Sequence, residues 1–176
     1  MAANEKAGPA RELHFDDLND AIDEAKRLLA AGYERSGNWT LAQAAGHCAQ
    51  WLDYSMRGDY PIPPLIRPVL RLTGRLFGPR LLRQALQRSS MPPGVRTFAA
   101  SVPAPIEGAE PRDDAQAAAD AAAVEELRDT VRKFTAWTAP IPPSPIFGRL
   151  DKQSASQLHC IHLAHHLGYL IPRGGE

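Results

Sequence analysis

Cysteine is scarce in this chain, which has only Cys48 and Cys160. Two thiols exclude a disulfide framework and suit a reducing compartment, so a bacterial-type cytoplasm is the expected setting. Long apolar runs are missing as well: none approaches the roughly 18 residues needed to cross a bilayer. The opening MAANEKAGPA has no hydrophobic stretch of the secretory kind, and residues 1–10 read as a disordered tail. Excess charge is also absent. Twenty Lys and Arg balance twenty Asp and Glu, which argues against a protein committed as a whole to nucleic acid or to a membrane. No stretch alternates with period two for long enough to mark a strand, and no segment repeats another.

What the chain has is helical pattern. Its 176 residues, 44% apolar and 23% charged, fit one soluble domain over 11–173 with a core of its own. Between Glu12 and Glu34, Leu13, Leu18, Ile22, Ala25, Leu28 and Leu29 recur at helical intervals, and Gly37 breaks the pattern. A second helix is expected from about Thr40 to Arg57, capped by Asn38 or Thr40 and ended by Gly58 and Pro61. Its apolar stripe is Leu41, Ala44, Ala45, Cys48, Trp51 and Leu52, and His47 lies beside it. Two short helices are expected after residue 61, interrupted by Pro68, Gly74 and the Gly78-Pro79 pair. MPPGVRTFAASVPAPIEG then reads as an extended loop. A long helix over Asp113 to Ala136 turns Val124, Leu127, Val131 and Phe134 to one side. The last helix starts with Asp151 as N-cap and stops before Pro172. Four long helices with additional short ones between the second and third make an all-α bundle the expected fold.

Charge is unevenly spread along this frame. Residues 61–106 hold seven arginines and no acid, whereas 107–129 hold eight acids against two arginines. Such runs are usually solvated faces that balance each other. The functional alternative is an anion patch or lid, with Arg71 and Arg75 within the arginine-rich 67–88 stretch near a pocket mouth.

Four of the six histidines fall within QLHCIHLAHHLGYLIPR, residues 157–173. A buried imidazole without a partner costs stability, and a metal ion satisfies several at once. His162 and His166 are four apart, so their Cβ atoms lie about 5–6 Å apart on one helix face. Two imidazoles so placed reach one cation at the roughly 2.0–2.1 Å of a zinc–nitrogen bond. His159 shares that face, while His165 is turned about 100° from His166. His47, on the inward stripe of another helix, supplies a third candidate, since bundle cores build metal sites from facing helices.

Two stretches carry a family resemblance. GNWTLAQAAGHCAQWLDYSMRG resembles the second helix of the DinB-like superfamily, where a Trp-Ser/Thr start leads to a histidine ligand. HLAHHLGYL resembles its last helix, where HxxxH supplies two more. From RELHFDDLNDAI to HHLGYLIPR, residues 11–173, the chain is similar to a bacterial branch of that superfamily known only as a domain of unknown function. The MPPGVRTF loop and SPIFGRLDKQ belong to that branch's pattern. Tyr169 and Ser144 depart from it, standing where glutamine and histidine are common. The resemblance implies a DinB-like four-helix bundle with a divalent metal on His47, His162 and His166. It also implies a metal-dependent enzyme, since characterised relatives include thiol-dependent transferases and isomerases.

Three neutral imidazoles would leave a divalent ion an open position and the power to activate water or a small thiol. Zinc, nickel and iron all suit such ligands. His159, Tyr54 and Asp53 are the candidates for a supporting role around the ligands. Each has a plainer reading: a satisfied core or rim histidine, a packed aromatic, and, with Gln50, a surface polar group. Cys48 and Cys160, rotated away from the ligand face, read as small buried residues. The expected partner is a small molecule, a low-molecular-weight thiol or an anion. Nucleic acid and membrane are not expected, and a homodimer through the helix faces is open. The contrasting reading is a bundle that binds metal or ligand without turnover.

Overall fold

The computed structural model describes residues 8–91, 102–103 and 114–174. Tail residues 1–7, most of the expected MPPGVRTF loop and the acids before Asp114 lie outside them. The order is α1 (Leu18–Ala31), β1 (Tyr33–Arg35), α2 (Leu41–Arg57), α3 (Arg67–Arg88), α4 (Asp114–Ala136), α5 (Lys152–Leu167) and β2 (Leu170–Pro172). The protein is mostly helical, with α1, α2, α4 and α5 sharing one core and α2 lying most extensively along α4.

Local chemistry sets the helix ends. α1 begins at Asp17, whose carboxylate accepts from the N–H groups of Asn19 and Asp20 while Asp20 accepts in return from the Asp17 N–H. This reciprocal box satisfies donors the helix leaves orphaned. It also starts α1 several residues later than the apolar pattern suggested. Thr40 and Gln43 form the same kind of box at α2. α2 ends at Gly58, whose left-handed φ of 74° suits a residue with no Cβ. Asp151 caps α5 through the Ser154 N–H. The stripes so started bury Leu28, Leu41, Leu52, Leu127, Phe134, Leu163 and Leu167 almost completely, each side chain contributing about 1.5–3 kcal/mol.

Two expectations need correction. The segment after residue 61 is one 22-residue helix, not two short ones, and it runs through Pro79. Its glycines are contact points rather than breaks. A Cβ on Gly74 would lie 2.8 Å from the Pro145 carbonyl oxygen, and one on Gly78 would overlap the Phe147 carbonyl. Four residues apart, the two glycines let α3 lie backbone to backbone on the turn held by the Ser144–Gly148 bridge. Gly74→Ala is therefore expected to destabilise the fold by about 1–3 kcal/mol through overpacking, although alanine is the better helix former by about 1 kcal/mol. Urea denaturation measures the net sign, and a gain in stability would mean that the turn yields freely.

The second correction is a small antiparallel sheet. β1 pairs with β2 in the register Tyr33↔Pro172, Glu34↔Ile171, Arg35↔Leu170. Three-residue strands are too short to show a period. The pairing nevertheless ties the chain just before α2 to the chain just after α5. Ser36 N–H donates to the Tyr169 carbonyl at 2.9 Å. Gly37 packs so closely on the Tyr169 side chain that a Cβ there would come within 3.1 Å of the Tyr169 Cβ and 3.2 Å of its ring.

A buried polar cluster fixes the start of α2 against α4. Asp120 is fully buried. One carboxylate oxygen accepts from Ala42 N–H at 2.9 Å and Gln116 Nε2 at 2.8 Å, the other from the Tyr33 hydroxyl at 3.0 Å. Tyr33 accepts in turn from the Leu41 N–H at 2.8 Å. A carboxylate at a helix N-terminus is favoured by both hydrogen bonding and the helix dipole.

Candidate metal centre

The capping box at Thr40 and the strand pairing bring the first turns of α2 beside the last turns of α5. In that seam stand His47, His162 and His166, their ligand nitrogens all within 4.8 Å of one another. His47 Nε2 lies 3.2 Å from His162 Nε2, which lies 3.0 Å from His166 Nε2. The rings are steeply inclined to each other, at 68°, 73° and 74°, so their nitrogens converge without the rings stacking.

These separations can be tested against a cation. Nitrogens about 2.0–2.1 Å from a common ion stand about 2.9 Å apart at a right angle and about 3.3 Å apart at the tetrahedral angle. The two approaches, 3.2 and 3.0 Å, fall between these limits. Hydrogen bonding alone satisfies them less well. An imidazole nitrogen has one in-plane site, either a proton or a lone pair. His162 Nε2 can therefore make only one of its two close approaches as a hydrogen bond, and the other sets like against like. A cation accepts all three lone pairs together, so this trio is a group that could hold a divalent ion.

Electrostatics keeps the two α5 rings of the cluster in the ligating form. Burial, followed by the neighbouring His166 and His47, holds His162 well below the ordinary histidine range. Burial, with His47 and His165, does the same for His166. Neutral imidazole is the form that binds metal.

Two indoles enclose the cluster. Trp39, the residue before the α2 cap, stacks on His166 with centroids 4.7 Å apart and planes 12° apart, and meets His47 edge-on at 4.9 Å. Trp51, one turn beyond His47, presents its edge to His47 at 6.1 Å and to His162 at 6.0 Å. Tyr54 and Tyr60 pack on Trp51 and on each other. Tyr54 thus stands behind Trp51.

The other sequence candidates are placed farther out. His159 Nε2 lies 3.0 Å from Ser55 Oγ, and its ring abuts Phe134. Ser55 donates to the Leu52 carbonyl, so its oxygen accepts from His159, and the pair bridges α5 to α2. Asp53 pairs with Arg57 on the partly exposed side of α2. Gln50 is exposed. His165 touches His166 and Tyr169 at its ring edges but stands outside the cluster. Cys48 and Cys160 are buried, and burial raises both thiols, Cys160 to about 11. Among the described residues, no hydrogen bond or ion pair joins the α3 arginines to the cluster. Trp39 and Asp120 are the residues that pattern reading passed over. Asp120 had left a signal: the α4 stripe Phe134, Val131, Leu127, Val124, continued back one step, lands on it.

The depressed histidines have a consequence for metal-free protein. The unfolded chain binds protons at these rings near pH 6.5, whereas the folded chain resists them, His159 down to about 4 through burial. Stability is thus fully present above pH 6.5 and is lost as pH falls toward 4. Denaturant midpoints of chelator-treated protein should fall steadily across that window. A flat profile would mean that the rings titrate alike in both states.

Among the described residues, no helix is long and apolar enough to cross a membrane. No curated protein and no solved structure matches the chain. A family model described as "Protein of unknown function (DUF1569)" matches residues 8–173, a span that takes in the five helices of the described residues and the three converging histidines. The chain therefore belongs to the DUF1569 family.

Proposed function

We propose that this protein is a metal-dependent enzyme in the manner of the DinB-like superfamily, holding zinc, nickel or iron on His47, His162 and His166 and acting on a small molecule by transferase or hydrolase chemistry. The observation that carries the reading is the pair of approaches to His162 Nε2, which one ring nitrogen cannot satisfy by hydrogen bonding. A divalent ion held by three neutral imidazoles keeps its full charge and an open position, and so acidifies a water or thiol bound there.

The chain's own residues serve that purpose in definite ways. Trp39 covers the face of His166 and, with Trp51, fixes the ring planes of His47 and His162. Their apolar surfaces lower the local polarity, which strengthens the pull of a cation on an incoming anion. Among the described residues, no carboxylate belongs to the ligand cluster, and three neutral donors leave the ion's charge undiminished. This favours an anionic or ionisable reactant such as a small thiol.

Cobalt(II) loading provides the test. One equivalent is expected to bind, and its visible absorption should shift when a low-molecular-weight thiol or azide is added. An intense tetrahedral spectrum indifferent to both would mean a filled coordination sphere, and the enzymatic reading would give way to metal binding without turnover.

A further inference from the structure

His159 stands one turn before His162 on α5, at the spacing that puts two side chains on one helix face. Its ring is held from two other helices. Nε2 lies 3.0 Å from Ser55 Oγ on α2. The ring also meets that of Phe134 on α4 edge-on, with centroids 5.4 Å apart and planes at 76°. Ser55 itself cannot swivel. It is buried, and its one proton goes to the Leu52 carbonyl at 2.7 Å. The Oγ lone pair is thereby fixed in place as the acceptor for the His159 N–H. Three helices meet at this imidazole, one turn from the metal centre.

Much of what α2 and α5 bury in the shared core is apolar: Ala44, Cys48, Leu52, Leu163 and Leu167. Apolar contact has no direction, so it presses the helices together without deciding where along each other they stop. A hydrogen bond weakens steeply away from its preferred angle, and a buried polar contact in an apolar seam is a device that fixes register between helices. A metal centre needs that fixing more than the fold does. Its ligand distances tolerate only about 0.2 Å. His47 comes from α2 while His162 and His166 come from α5, so any sliding of one helix on the other pulls the donors apart. We infer that His159 is a positioning residue for the metal centre, its hydrogen bond to Ser55 setting the register of α5 on α2 at which the three imidazoles converge. The role presupposes a metal ion on that trio.

Zinc titration calorimetry and cobalt(II) spectra of the full chain test it. The double variant Ser55→Ala with His159→Phe removes both polar partners together and leaves no buried group unpaired. Its metal-free melting temperature should therefore stay near that of the wild type. Zinc affinity should nevertheless fall about tenfold, and the cobalt absorption should shift as the ligand geometry loosens. Should phenylalanine prove too large for the chain to fold, Ser55→Ala with His159→Leu carries the same comparison. His159→Gln, whose amide nitrogen can still donate to Ser55, should keep the wild-type affinity and spectrum. Equal zinc affinity with an unchanged cobalt spectrum in the double variant overturns the inference. So does a melting temperature that falls in step with affinity, because the pair is then a prop of the whole fold. A wild-type chain that takes up neither zinc nor cobalt removes the metal reading itself, and the positioning role with it.

Discussion

Replacing His162 by alanine is expected to eliminate stoichiometric metal binding. This residue holds the middle of the cluster, within 3.2 Å of His47 and 3.0 Å of His166. Loss of a mere hydrogen-bond partner to a ligand lowers affinity about 10- to 100-fold, so loss of a ligand itself should exceed that. His47→Ala should abolish bound metal as well, since it removes the only ligand that α2 supplies to the trio. His165→Ala, outside the cluster, should leave metal content unchanged. Mass spectrometric metal analysis of the untagged protein and these variants reads all three. Retention of metal by the His47 variant would take α2 out of the site and leave only an HxxxH pair on α5.

Asp120→Ala is expected to destabilise the fold severely. It strands the Ala42 N–H, the Gln116 amide and the Tyr33 hydroxyl in a buried place. Each unsatisfied donor costs about 1–3 kcal/mol, so a loss of about 3–5 kcal/mol is expected. That corresponds to a fall of roughly 10 °C in melting temperature for a domain of this size. Asp120→Asn keeps one acceptor and should fall between. Because Asp120 holds the first turn of α2, metal affinity at His47 should decline along with stability. Thermal melts of metal-free and metal-loaded protein separate the two effects. Unchanged stability in the alanine variant would mean that water fully replaces the carboxylate.

Much of the fold was legible because it is written in local chemistry. The caps at Thr40 and Asp151, the terminator Gly58 and the stripes of α2 and α4 are short-range features, and they lie where helix physics puts them. α3 was misjudged for an equally physical reason. Gly74, Gly78 and Pro79 break an isolated helix, but in the folded protein the two glycines gain a backbone contact that needs them to have no side chain. The β1–β2 pairing was invisible because three residues carry no period, and its partners lie at opposite ends of the chain.

The site divides the same way. The facing of His162 and His166 follows from their spacing on one helix, and the sequence alone determines it. That His47 meets them depends on a separate rod, set by Asp120, Tyr33 and the small sheet. So does the stacking of Trp39 on His166, because both are long-range contacts. By itself the sequence determined which residue types lie on which helix faces, since a face is fixed by a rotation of about 100° per residue. Only the tertiary structure decided that three imidazoles from two helices share a point and that α3 runs unbroken through its glycines, because both depend on how separately formed elements pack.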